Sequence, residues 1–404
     1  VTTGLQNIAI GNCALSTNTE AHNNVAVGFC SLQSSTTGTL NVAMGSFSAE
    51  DTTTGSCNTA LGYRALCDNT TGGLNVAVGC GALAANTTAD NNTAVGFGSA
   101  LTQTTATKNT SVGTYSAYRV TTGGQNTFIG YNSGAQDTTG EQNVGIGSAS
   151  FGGSTTGSYN TALGACTLYA TNTGNDNIAV GRKAMFDNTS GACNTAIGND
   201  ALTNNTTGIC SVAIGRRALE DNTTGSYSVA VGAGALANAT TSGDNTAVSR
   251  NAGCNITTGT NNFVFGSGAD AVKDITTDNH QIVIGNNSNT HAYIKIDWTV
   301  TSDLRDKTEI KDVTHGLDFI NQITPIEYKF KKSREDDTPH GTKKYGFSAQ
   351  EILELEGENP VIINNQDSDN LKLTGGHLLP VLVNAIKELS TQNEDLKSRI
   401  ETLE

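Results

Sequence analysis

The pentads Asn24-Val25-Ala26-Val27-Gly28, Asn41-Val42-Ala43-Met44-Gly45 and Asn58-Thr59-Ala60-Leu61-Gly62 decide the fold of this chain, because each begins 17 residues after the one before. Outward from them, glycine recurs at 11, 28, 45, 62, 79, 96, 113, 130, 147, 164, 181, 198, 215 and 232; Ser249 takes the next place and Gly266 resumes the series. The residue before each of these sixteen anchors is apolar, from Ile10 to Phe265. Two before is usually alanine and four before is usually asparagine, giving the unit Asn-(Val/Thr)-Ala-(Val/Ile)-Gly. A fixed period of this length is the signature of stacked coils.

A short strand places the residues one and three before the glycine on one face and the alanine on the other. The expectation is an inner core lined by Val and Ile, with the alanine face left for close lateral contact between rods. The anchor glycine turns the chain. A second turn is read at Thr-Thr-Gly or Thr-Ser-Gly, as at Gly38, Gly55, Gly72 and Gly123, where glycine tolerates positive φ. Two turns in 17 residues describe one rung of a parallel β-solenoid. Stacked rungs line the asparagines into a ladder with a repeat of about 4.8 Å, so sixteen rungs make a rod roughly 75 Å long. So little apolar volume is marginal for one chain, and side-by-side packing of several rods supplies what is missing. The even spacing speaks against a disordered Thr/Asn/Gly chain. A calcium-binding β-roll needs Gly-Gly-x-Gly-x-Asp units, which are absent, and an ice-binding solenoid needs an outward file of threonines, whereas here they cluster at turns.

Composition changes near residue 290: residues 1 to 290 hold 25 charged side chains and residues 291 to 404 hold 35. A formal net charge of -14 with no basic stripe argues against a nucleic-acid partner. Nine cysteines lie in the repeats, none in a CxxC pair. An odd, scattered set reads as small apolar fillers rather than metal ligands, with same-register neighbours such as Cys13 and Cys30 near enough to react. No metal or cofactor is expected. No apolar run is long enough to span a bilayer, and the start at Val1, without an initiator Met, reads as a fragment or processed chain.

The Asn-x-Ala-(Val/Ile)-Gly unit resembles the head repeat of trimeric autotransporter adhesins and of viral fibre shafts, which implies a trimeric parallel β-roll. The repeat then dissolves. Gln281-Ile282-Val283-Ile284-Gly285 is a last rung shifted by two residues, and His291 to Trp298 alternates like a strand. Four ordered segments follow: Thr301-Ser302-Asp303-Leu304-Arg305-Asp306-Lys307, Leu317 to Phe330, Tyr345 to Glu351, and Leu378 to Leu389. Together they resemble the endosialidase-type intramolecular chaperone domain that ends phage tail spikes and fibres, over residues 301 to 404. That resemblance implies a small α+β domain that promotes trimer assembly and acts as a single-turnover serine peptidase. Transferred onto this chain, Ser302 is the nucleophile, Lys307 the base, and Thr301-Ser302 the scissile bond.

A serine hydroxyl attacks only after losing its proton, and lysine accepts one only when neutral, which takes burial or cationic company. Arg305 offers such company, with Asp303 as a second supporting residue, and a dry trimer interface is the other source. Spacing alone favours a plainer reading, in which Ser302 caps a helix and Asp303, Arg305 and Lys307 are solvated charges; the resemblance favours the dyad. His315 and His340 lack a carboxylate partner and read as structural. Gly346 reads as a reversal entering a short helix, with Phe347 anchoring a small core.

The last segment carries a heptad, Leu379, Ile386, Asn393 and Ile400 at one seam position and Leu382, Leu389, Leu396 and Leu403 at the other. Its competitor is a lone amphipathic helix packed on its own domain. The expected organisation is a shaft over 1–270, a transition over 271–300, and a chaperone domain over 301–404 with its coiled coil at 378–404. The expected function is a virion tail fibre or spike, assembled in the host cytoplasm as a homotrimer, with an upstream fibre or baseplate partner and a host glycan or protein as receptor. The alternative is a non-cleaving cell-surface adhesin shaft, although the polar C-terminus carries no membrane-anchoring barrel. A glycan hydrolase needs paired carboxylates, and Asp90 and Asp176 show no such pairing.

Overall fold

The computed structural model describes residues 3–153, 156–170, 173–268, 275–286, 288–289, 302–331, 334–365, 368–369 and 371–403. The chain divides into two compact units, Val1–Asn289 and Thr290–Glu404. The strand expected over His291–Trp298 lies outside the described residues, as does most of the transition expected over 271–300.

The first unit is a parallel β-solenoid. Three-residue strands run from β1 (Ile8–Ile10) to β16 (Phe263–Phe265) at the 17-residue spacing, and β17 (Ile282–Ile284) follows after a 19-residue step. Neighbouring strands pair in register, so that Ala26 faces Ala9 on one side and Ala43 on the other. Among the described residues, this three-residue strand is the one strand in each coil. The remaining residues are turns, yet their backbones also ladder: Leu32 N–H donates to Ser48 O at 3.1 Å and Ser34 N–H to Glu50 O at 2.9 Å.

The two strand faces are opposite to the sequence expectation. Ala60, Ala77 and Ala196 are fully enclosed, while Met44, Leu163 and Ile197 beside them are 47%, 47% and 39% exposed. The coil is so thin that only a methyl group fits between the strand and the turns opposite it. From those turns a leucine column that the sequence reading missed, Leu32, Leu66, Leu83, Leu202 and Leu219 among them, fills the remaining space. The residues on either side of each alanine therefore face outward, with Val, Ile or Thr usually before it and an apolar residue after it, so an apolar stripe runs along the strand face where the expectation had alanine.

One pair of rungs shows how closely the interior volume is fixed. Phe128 stands in the alanine column, and a Cβ on Gly134, in the leucine column of the same coil, would lie 2.5 Å from its ring. In the next coil the sizes are exchanged, with Gly145 in the alanine column and Phe151 opposite; the two rings meet edge-on at 5.9 Å. Large and small residues thus trade places while the total volume is conserved.

The asparagine column is buried and stacked, but its side chains bond mainly to backbone rather than to one another. Asn41 Oδ1 accepts from Asn58 N–H at 2.9 Å, and Asn41 Nδ2 donates to Gly55 O, at the far end of its own coil, at 2.9 Å. Each asparagine ties one coil to the next and closes its own. Amide-to-amide stacking occurs in another column, where Asn86 Nδ2 donates to Asn69 Oδ1 at 2.8 Å and Asn222 to Asn205 at 2.8 Å.

The anchor glycines do adopt the left-handed region, as at Gly62 with φ 133°, and their Cα lies against the next coil: an added Cβ would meet Gly79 O at 2.7 Å. The turn glycines Gly38, Gly55, Gly72 and Gly123 do not have positive φ. They are required by close approach alone, since a Cβ on Gly38 would lie 2.4 Å from Gly55 O. The filler reading of the cysteines holds for Cys30 and Cys67, which are buried; Cys13, Cys57, Cys80, Cys193 and Cys210 are exposed. Burial pushes the Cys67 thiol up to about 12.

In the second unit, α1 (Leu317–Gln322) leads into an antiparallel pair, β18 (Pro325–Lys331) with β19 (Pro339–Phe347). Then come α2 (Ala349–Glu356), a short pair β20 (Ile363–Asn364) with β21 (Lys372–Leu373), and α3 (Leu378–Glu401). Its core gathers Phe319, Ile352, Ile362, Ile363, Leu378 and Val381, with Phe347 packed against it. Gly346 is not a reversal: it lies inside β19, where a Cβ would come within 3.0 Å of the Tyr328 ring. Ser348 makes the entry to α2 instead, its hydroxyl accepting from Glu351 N–H at 3.3 Å.

Two predictions follow from the shaft interior. Ala196→Leu overpacks a fully enclosed site and should destabilise the chain by about 1–3 kcal/mol in chemical denaturation, whereas Ile197→Thr should cost less in a monomeric shaft. Asp137 takes a place that asparagine holds at Asn86 and Asn188, and burial pushes its carboxyl from 3.8 up to about 7. Between pH 4 and 7 the unfolded carboxyl ionises while the buried one stays protonated, so stability falls as pH rises through that window, by about 4 kcal/mol. In Asp137→Asn this loss should vanish, because an amide does not titrate in this range, while its oxygen can still accept from Gly140 N–H as Asp137 Oδ1 does at 3.1 Å. Denaturation midpoints at pH 4.5 and pH 8 for both chains measure it.

Candidate functional site

The segment opening the second unit makes one turn of 3-10 helix, Leu304–Asp306. Asp303 caps it, its Oδ1 accepting from Arg305 N–H at 2.9 Å, and Lys307 N–H closes it onto Leu304 O at 3.2 Å. The capping role that spacing left open for Ser302 therefore belongs to Asp303. With the turn closed, residues five apart come together, and Lys307 Nζ lies 2.8 Å from Ser302 Oγ. Thr301, the other side of the expected scissile bond, lies outside the described residues.

Arg305, expected as cationic company for Lys307, is engaged by Asp303. Its guanidinium forks onto Asp303, with Nε 3.1 Å from both carboxylate oxygens. That bond holds the Asp303 carboxyl below its ordinary value and raises the Arg305 guanidinium. Asp303 and Arg305 are thus paired with each other within the turn. Ser302 and Lys307 are both solvent-exposed. In the isolated chain the geometry of a hydroxyl–amine pair is present, but the desolvation that neutralises an amine is not.

Two carboxylates that the sequence reading missed hold the rest of the domain. Glu388 of α3 reaches the start of α1, accepting from Leu317 N–H at 2.7 Å, and it lies so close to Gly316 that a Cβ there would clash at 2.0 Å. Glu356 at the end of α2 accepts from three successive amides, Val361, Ile362 and Ile363, at 2.8, 2.7 and 2.9 Å. Charged acceptors aimed at clustered N–H groups fix a turn strongly. Glu388 acts across 71 residues and leaves no local signal, whereas Glu356, a carboxylate just ahead of a glycine turn, does. His315 stacks on Phe319 at 4.2 Å, in keeping with a structural role.

The final helix packs one face on its own domain and leaves the heptad face open. Leu378, Val381 and Ala385 are buried against the domain, and Leu382 packs beside them. The rest of the heptad faces outward: Leu379, Ile386, Leu396 and Ile400 are each more than half exposed. No helix among the described residues is long and apolar enough to cross a membrane.

Residues 302–359 match the family described as chaperone of endosialidase. The match begins at Ser302 and takes in the Ser302–Lys307 turn, α1, β18, β19 and α2, but stops short of α3, so it covers about half of the stretch from 301 to 404 that the sequence motifs indicated. Neither a curated protein nor a solved structure matches the chain.

Proposed function

We propose that the chain is a structural fibre or spike of a virion whose second unit drives assembly of three copies and then cuts the Thr301–Ser302 bond. The observation that carries this reading is the 2.8 Å contact between Lys307 Nζ and Ser302 Oγ at the first residues of the chaperone-of-endosialidase match. Lys307 accepts the Ser302 proton, and Ser302 Oγ attacks the carbonyl carbon of Thr301. Lys307 hands that proton to the Ser302 nitrogen as the C–N bond breaks, which leaves Thr301 as an ester on Ser302 Oγ and frees the Ser302 amine; water then hydrolyses the ester. An N-terminal piece ending at Thr301 and a C-terminal piece beginning at Ser302 result.

Exposure of the pair supports a link between cutting and assembly. Burial disfavours the charged form of an amine, so a partner chain that covers the pair would switch the reaction on. Two surfaces of the single chain favour such partners. One is the apolar stripe that flanks the buried alanines of the shaft; the other is the outward heptad of α3, from Leu379 to Ile400. Both bury more apolar area when copies lie side by side. The alternative, a shaft that stays whole and only adheres, is favoured by the same exposure if no copy ever covers Lys307.

Cleavage decides between them. The folded wild-type chain should run on a denaturing gel as pieces of 301 and 103 residues, and Ser302→Ala should run as one band. An intact wild-type band after native folding sinks the peptidase reading. Lysine introduced into the seam, as in Ile386→Lys with Leu389→Lys, should lower the mass seen by light scattering from three chains to one and slow cleavage at least tenfold. Rapid cleavage in a monomeric variant would separate cutting from assembly.

A further inference from the structure

Two pairs of shaft cysteines repeat at the coil period: Cys13 with Cys30 and Cys193 with Cys210, each 17 residues apart. Their backbones are direct neighbours. Cys30 N–H donates to the carbonyl of Asn12, the peptide that leads into Cys13, at 2.9 Å, and Cys210 N–H donates in the same way to Ala192 O at 3.0 Å. All four residues hold nearly one conformation, with φ 60° and 53° in the first pair and 59° and 55° in the second. Equal conformations in stacked coils point the two Cβ atoms of a pair the same way. At a coil spacing of about 4.8 Å the Cα atoms fall inside the range a disulfide bridges, and the Cβ atoms stand just beyond its usual span, so a bond would draw the two coils slightly together.

Within each pair the thiols already act on one another. Desolvation raises the Cys30 thiol, with the neighbouring Cys13 as the next cause, and desolvation followed by Cys210 raises Cys193. Cys13, Cys193 and Cys210 are exposed, so an oxidant in solution can reach a member of each pair. Other exposed cysteines lack this arrangement. Cys57 has Leu40 and Leu74 in its column, and Cys80 has Tyr63 and Phe97.

We propose that Cys13 with Cys30, and Cys193 with Cys210, are covalent cross-linking sites that staple neighbouring coils when the chain meets a low-molecular-weight disulfide such as oxidised glutathione. Exposed Cys13 gives its proton to water, and its thiolate attacks one sulfur of the oxidant, expelling the first glutathione thiolate. Cys30, deprotonated in turn, attacks the Cys13 sulfur of the mixed disulfide and expels the second. Two protein thiols are oxidised to one disulfide while the oxidant is reduced to two thiols, which take up the two protons. In a reducing cytosol the pairs stay as thiols, and the links form once the chain leaves it. The first pair sits where the stack has least support, because β1 pairs with β2 alone among the described residues. This inference does not rest on self-cleavage, since every residue it uses lies in the shaft.

The test treats the full chain, purified in reductant and then freed of it, with oxidised glutathione under native conditions. The chain is next unfolded and its remaining thiols are blocked with iodoacetamide for mass spectrometry. Nine blocked thiols in the reduced chain should fall to five, the four paired cysteines dropping out, and peptide maps should show Cys13 joined to Cys30 and Cys193 to Cys210. Cys13→Ser should lose the first link and keep the second. Amide exchange reads the effect on the stack. Ile8 N–H and Cys30 N–H, which tie the first coil to the second, should exchange at least tenfold more slowly after oxidation and recover with dithiothreitol, and in Cys13→Ser they should not respond to the oxidant. Circular dichroism should show the same shaft signal in every form. Glutathione left on Cys13 or Cys193 without a link, pairing with Cys57 or Cys80, a link between two chains, or oxidation that leaves Ile8 exchange unchanged would each overturn the proposal.

Discussion

Everything in the shaft depends on coils lying one backbone hydrogen bond apart. Glycine at the anchor column exists because the next coil's carbonyl occupies the space a Cβ would need, as Gly79 O does for Gly62. The same spacing decides what goes inside. A coil so tightly wound, with a single three-residue strand, holds a methyl on one side and a leucine on the other, and nothing larger unless the opposite column gives way, as Gly134 does for Phe128.

This winding is costly to the backbone. Leu32, Leu66 and Leu83 adopt positive φ, at 49°, 56° and 50°, a region that costs an L-residue about 1–2 kcal/mol. Each such leucine donates to the next coil, as Leu83 N–H does to Ser99 O at 3.0 Å, and buries its side chain fully. One net hydrogen bond of about 1 kcal/mol plus a buried leucine offsets the strain. No coil meets that balance alone, because both the acceptor and much of the burial come from its neighbour. Stability therefore belongs to the stack, and the ends of the stack are its weak points.

The same economy bears on the proposed assembly. With methyl groups inside, the larger aliphatic residues are left outside, so a single rod carries a stripe of apolar surface along its length. The last helix repeats the pattern on a smaller scale, giving one face to its own domain and leaving its heptad open. A serine and a lysine brought together by a single turn, yet exposed, complete a chain whose parts are individually folded and jointly unfinished. On the proposed reading, adding partner copies covers all three.

The sequence by itself determined the period, the parallel register, the glycine anchors and the buried asparagine column, because in a stack every coil repeats the same environment and the pattern is written sixteen times. Three of its four C-terminal motifs fall, Thr301 aside, within the residues that match a chaperone of endosialidase, and the resemblance singled out Ser302 and Lys307, which the structure brings to 2.8 Å. Only the tertiary structure decided which strand face is inside. Alternation marks two faces, but the width of the coil, set by turns whose conformation no single residue announces, selects the smaller one for burial. The reach of Glu388 to α1 was likewise hidden, since it joins residues 71 apart that only folding brings together, and the fork of Arg305 onto Asp303 depends on the turn that Asp303 caps.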